Sequence, residues 1–81
     1  MIKGKRQDIT DEHPVLEIGE YGKKGNHWLG CTPNGLFAGL GNHEVVEHED
    51  GTITASPSIL VTHWSGKSWH GYLERGIWRE V

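Results

Sequence analysis

Short apolar runs, cut every few residues by Gly, Pro, Asn or Asp, constrain this chain more than any other feature of its sequence. Twelve glycines fall within 81 residues. No window places apolar side chains at i, i+3, i+4 and i+7 for more than about one turn, whereas brief alternating runs between turn signals recur. The expected fold is therefore all-β: one domain of about five to seven short antiparallel strands, closed as a small barrel or folded as a sheet upon itself. Apolar area is concentrated near the end, where Trp64, Trp69 and Trp78 supply three of the four tryptophans. Trp28, Val46, Ile53, Ile59, Val61, Trp69, Leu73 and Ile77 are expected inside. A core this small is marginal, and large aromatics take the place that disulfides hold in other mini-domains.

Cys31 is the single cysteine, which excludes an internal disulfide framework and fits a reducing compartment. No apolar run reads as a signal peptide or a membrane span, so a cytoplasmic protein is expected. A net charge of −3 argues against broad attraction to nucleic acid.

Along the chain, residues 1–13 are polar and read as a loosely held arm. Val15 to Ile18 reads as a first strand, Tyr21 to Asn26 as a turn and His27 to Cys31 as a second strand. Thr32-Pro33-Asn34-Gly35 is a turn, with Pro pre-set for the second position and Gly able to take positive φ. Leu36 to Asn42 reads as a short strand or a single helical turn. Asp50-Gly51 predicts a two-residue hairpin loop that faces Val46 with Ala55 and His48 with Ile53, these four turning inward. Ile59-Leu60-Val61 reads as a strand buried on both faces, with Ser65-Gly66-Lys67 as the turn after it. Glu74-Arg75-Gly76 predicts a three-residue loop that pairs Leu73 with Ile77 and Tyr72 with Trp78. Trp69, Leu73, Ile77 and Val81 then face inward, and Gly71 leaves room for the Arg79 stem. His70, Tyr72 and Trp78 share the opposite face, as an interface or as a second core layer beneath another strand. Glu47, Glu49 and Asp50, beside Glu44, form an acidic tip that is either simply solvated or a docking patch for a basic partner.

The segments Thr54-Ala55-Ser56-Pro57-Ser58-Ile59-Leu60, Trp69-His70-Gly71-Tyr72-Leu73 and Gly76-Ile77-Trp78 resemble a family of small uncharacterised proteins from tailed phages and prophages. Cys31-Thr32-Pro33-Asn34-Gly35 looks like that family's earlier cysteine-rich turn, so the resemblance spans roughly residues 27 to 81. It implies a phage source and the cytoplasm of an infected bacterial host, and it implies no reaction. The family pattern carries further cysteines where this chain has Leu36 and Lys67, and those positions suggest a zinc site. Only Cys31 and His70 match. With His27 and His63 they would make a Cys-His₃ set acceptable to zinc, yet two missing ligands lead to the expectation of no bound metal or other cofactor.

Other constellations are less specific. His43 and His48 lie five apart, so neither a helix nor a strand aims both at one metal. Cys31 with a histidine has the elements of a nucleophile pair but lacks an oxyanion device. Three functional classes follow. The leading one is a non-enzymatic, phage-encoded protein that binds a host or phage macromolecule, a protein rather than nucleic acid, in host takeover or in countering defence, alone or as an oligomer. The alternative is a small-ligand or carbohydrate-binding β module. The third is a metal-dependent or Cys/His enzyme.

Overall fold

A computed structural model describes residues 1–81 as two packed β-sheets with no helix. Nine strands follow in chain order: β1 (Ile2–Lys3), β2 (Lys5–Arg6), β3 (Glu20–Lys24), β4 (His27–Cys31), β5 (Phe37–Gly39), β6 (Glu44–Glu47), β7 (Ile53–Thr62), β8 (Ser68–Glu74) and β9 (Ile77–Glu80). The larger sheet has the order β1-β9-β8-β7-β6 and the smaller β2-β3-β4-β5. The all-β expectation holds in its folded-sheet form, since the sheets do not close into a barrel. Two strands beyond the expected number are the two-residue pieces β1 and β2.

Those two pieces come from the arm that sequence reading left loose. β1 pairs with β9, Gly4 N–H donates to the Gly76 carbonyl at 2.7 Å, and Lys5 N–H donates to the Gly19 carbonyl at 3.1 Å. Gln7 and Ile9 then donate to Tyr21 and Lys23 at 2.8 Å each, continuing β2 alongside β3. Unpaired backbone is costly once buried, so the arm trades water for the open edges of both sheets and laces them together.

Val15 to Ile18 is not a strand; only Leu16 of that segment is buried. Tyr21, read as part of a turn, instead lies in β3 at 1 % exposure. The turn itself is Gly25-Asn26, where Gly25 takes φ +61° as the first residue of a tight two-residue loop. One core unites Tyr21, Leu36, Ala38 and Leu40 with Ile53, Ala55, Ile59, Trp69, Leu73 and Trp78. Trp28 and Val61, expected inside, pack partly buried against its rim.

Both major hairpins differ from expectation by one residue, in opposite senses of loop length. At Asp50-Gly51 the loop has three residues, His48 facing Thr52 with Gly51 at φ +87°. Val45 therefore opposes Ala55 and turns inward, while Val46 is exposed. At Arg75-Gly76 the loop has two residues, with φ +47° and +75°, the pair of positive values that a type I′ turn requires. Leu73 therefore pairs with Trp78, and Tyr72 with Arg79. A one-residue slip exchanges the two faces of a strand, so Trp78 enters the core while Ile77 and Val81 are exposed.

Candidate functional site

The outer face of the larger sheet is open and is assembled from alternate residues of three adjacent strands. On β7, Leu60 points outward at 65 % exposure; it sits opposite His70 of β8, so the expectation of a strand buried on both faces fails there. Tyr72 is the next outward residue of β8, half-buried beneath Arg79, whose guanidinium lies 4.6 Å from the ring centre. Glu74 holds that guanidinium from its other side at 2.7 Å. His70 Nε2 lies 3.2 Å from the Ser58 hydroxyl, and His43 Nε2 donates to the Ser58 carbonyl at 3.2 Å. With Nε2 as the donor, His43 Nδ1 faces protein as an acceptor without a partner.

Of the expected aromatic trio, then, His70 and Tyr72 are on this face and Trp78 is not. Trp78 is 1 % exposed, stands edge-on to Trp69 with ring centres 5.4 Å apart, and donates from Nε1 to the Gly19 carbonyl at 2.9 Å. Its place as an exposed apolar anchor is taken by Trp64, which sequence reading grouped with the apolar last third of the chain and which is 92 % exposed. Trp64 occupies the tip of the β7–β8 hairpin, closed by a bond from His63 N–H to the Lys67 carbonyl at 2.8 Å. The His63 ring packs against it with centroids 5.1 Å apart. His63 is fixed in turn: its Nδ1 accepts from Ser65 N–H at 3.2 Å and lies 2.8 Å from the Ser65 hydroxyl. The available signal was position, because Trp64 directly precedes Ser65-Gly66, and loop residues project from the scaffold.

The acidic tip sits at the other end of β7, around an open hollow of about 540 Å³ lined by Glu47, His48, Glu49, Asp50 and Arg75. Of the three carboxylates that line it, Glu49 and Asp50 make no ion pair. Glu47 binds Arg6 at 2.9 Å, and Arg6 also binds Asp8 at 2.7 Å and donates to the Gly51 carbonyl at 2.8 Å. Arg6 and Lys23 flank the Trp28 ring, at 5.0 and 4.8 Å from its centre. This cluster joins the acidic hairpin to the smaller sheet, a structural role that the flipped β6 register makes available to Glu47.

The Cys-His₃ set is not brought together. Cys31 is buried in β4, and burial pushes its thiol pKa up. His27 is exposed at the start of the same strand, His63 is at the hairpin tip and His70 is on the outer face. No three His, Cys, Asp or Glu side chains converge on one point. His43 and His48 are also apart, the latter bonded to the Thr54 hydroxyl at 2.7 Å. None of the histidine bonds reaches Cys31, and its neutral thiol is a poor nucleophile.

Two carboxylates bear on stability. Burial would raise the Glu20 carboxyl, but the Glu17 amide at 2.8 Å and His13 at 3.0 Å outweigh it and hold its pKa below the usual range. Arg6 does the same for Asp8, aided by the Lys23 amide. A depressed folded pKa means stabilisation that is complete above the ordinary carboxylate range and is lost as pH falls through the folded value. Melting temperature should therefore drop steadily as pH falls below about 5, and Glu20→Gln should flatten that acid limb. A limb of unchanged steepness in Glu20→Gln would exclude Glu20 as a source.

No protein-family model, curated protein or solved structure matches this chain.

Proposed function

We propose that this chain is a non-enzymatic binding protein that recognises a protein partner through the Trp64 hairpin and the adjoining outer face of the larger sheet. The observation that carries the reading is Trp64 itself, an indole 92 % exposed on a hairpin whose backbone and neighbouring His63 are held by their own hydrogen bonds. Tryptophan is among the residues most often found as an interface anchor, and an anchor on a rigid hairpin loses little entropy when it docks. Leu60, His70 and the Tyr72–Arg79 pair extend the surface along the sheet, giving apolar contact within a polar surround. A buried Cys31 and scattered histidines support the non-enzymatic part of the reading. The resemblance to small phage proteins supports a host or phage protein as the partner and the cytoplasm of an infected bacterium as the setting.

The test compares wild type with Trp64→Ala. The variant should melt at the wild-type temperature within about 0.5 kcal/mol of stability, because the exposed side chain loses only its contact with the His63 ring. Its affinity for a partner captured by wild type should fall by roughly thirtyfold, the weight of an anchor worth about 2 kcal/mol. Capture that is indifferent to Trp64 would overturn the reading. A tryptophan-fluorescence shift with oligosaccharides, lost in the same variant, would replace it with the carbohydrate module, which the exposed Trp64 ring also suits.

A further inference from the structure

β7 is ten residues long, but β6 pairs only with its first four, Ile53 to Ser56. From Ser58 to Thr62 its outer edge has no neighbouring strand. Ile59 and Val61 face Gly71 and Trp69, and the bond from His63 to Lys67 continues that register. Backbone groups of odd-numbered residues are thus directed at β8. Antiparallel alternation then aims the N–H and C=O groups of Leu60 and Thr62, and the N–H of Ser58, away from the sheet.

We propose that this edge is a self-pairing site: two copies of the chain join antiparallel along residues 58–62, about a two-fold axis at Leu60. The segment Ser58-Ile59-Leu60-Val61-Thr62 is chemically symmetric about its centre, reading hydroxyl, β-branched, leucine, β-branched, hydroxyl in both directions. Antiparallel pairing on that axis sets Leu60 against its counterpart, Ser58 against Thr62 and Ile59 against Val61. Every pair matches in polarity, and each hydroxyl pair is of a kind that stabilises sheets. About four backbone bonds form, two between the Leu60 residues and one from each Ser58 N–H to the opposite Thr62 carbonyl, and the two larger sheets become one continuous sheet.

Charge does not oppose a second copy. The chain carries −3 overall, yet residues 51–66 contain no Asp, Glu, Lys or Arg, so like charges do not meet across this axis. Proteins ordinarily guard a free edge with charge, proline or brevity. β6 is guarded by Glu44 and Glu47, and β5 by its three-residue length. Residues 58–62 have none of these protections, and Leu60 stands 65 % exposed beside them.

Five residues a side give a small contact, in the weak class under about 1,200 Å², so association should appear only between tens of micromolar and about 1 mM. Sedimentation and amide exchange across that range test it. Exchange at Ser58 and Leu60 should slow with concentration, while Ile59 and Val61, already bonded to β8, stay unchanged. Leu60→Pro removes an N–H that β8 does not use, so it should keep the fold and stay monomeric. Leu60→Lys and Leu60→Glu should each be monomeric alone and associate when mixed, because residue 60 meets its own counterpart on the axis. A wild type monomeric at about 1 mM, association that survives Leu60→Pro, or a Lys/Glu mixture that stays monomeric would each overturn the proposal. No other protein is present in these measurements, so their outcome is independent of whether Trp64 recognises a partner.

Discussion

Trp78→Ala should leave a chain without a cooperative melt near room temperature. The indole is the largest fully buried side chain, and it touches both halves of the molecule. It packs edge-on against Trp69 in the larger sheet and donates to the Gly19 carbonyl, where Lys5 N–H also converges. Truncating a buried tryptophan costs about 3–5 kcal/mol. A core of this size supplies about the same amount in total, so nothing is left to hold the fold. Urea titration and near-ultraviolet circular dichroism report the loss directly. Ile77→Ala, one residue away on the exposed face, should cost roughly 1 kcal/mol or less. Sequence reading placed Ile77 inside and left Trp78 open between an exposed interface and a second core layer. A Trp78→Ala protein that melts within a few degrees of wild type would show that the strand has the other register.

Gly71→Ala should be nearly as damaging, although it adds a single methyl group. Gly71 lies on the inner face between Trp69 and Leu73, and the Trp69 ring lies over it to reach Trp78. A Cβ at this position would run into that ring and into the backbone carbonyl of Arg79. The carbonyl belongs to the backbone of the neighbouring strand, so the strain has no cheap release. Overpacking of this kind costs about 1–3 kcal/mol or more, against a total of only a few. The expected readout is a large fall in urea midpoint with loss of the near-ultraviolet signal of the Trp69–Trp78 pair. Gly39→Ala serves as the control, because a Cβ there meets nothing within 4 Å and φ is not positive. Equal effects from the two substitutions would remove the close-approach argument. Gly71 had been expected to make room for the Arg79 stem; that stem in fact lies over Tyr72 on the other face.

Punctuation by Gly, Pro and Asn was enough to determine an all-β chain, because residues that take positive φ or block a helix act within a few positions of themselves. The same local physics located the turns at Thr32–Gly35, Asp50-Gly51, Ser65-Gly66 and Arg75-Gly76, and it put Ile53, Ile59, Trp69 and Leu73 inside. Loop length was a different matter. Asp-Gly and Arg-Gly each fit a loop of two residues or of three, at little difference in local energy. Only the tertiary structure chose between them, by burying Trp78 rather than Ile77 and by aiming Glu47 at Arg6. The polar arm was likewise illegible, since its attachment uses backbone groups that every residue carries. For the candidate surface, sequence named His70 and Tyr72 but misplaced Trp78 and overlooked Trp64. An indole is equally suited to a core and to an interface; which one it serves depends on whether another strand lies over it, and that depends on contacts far away in the chain.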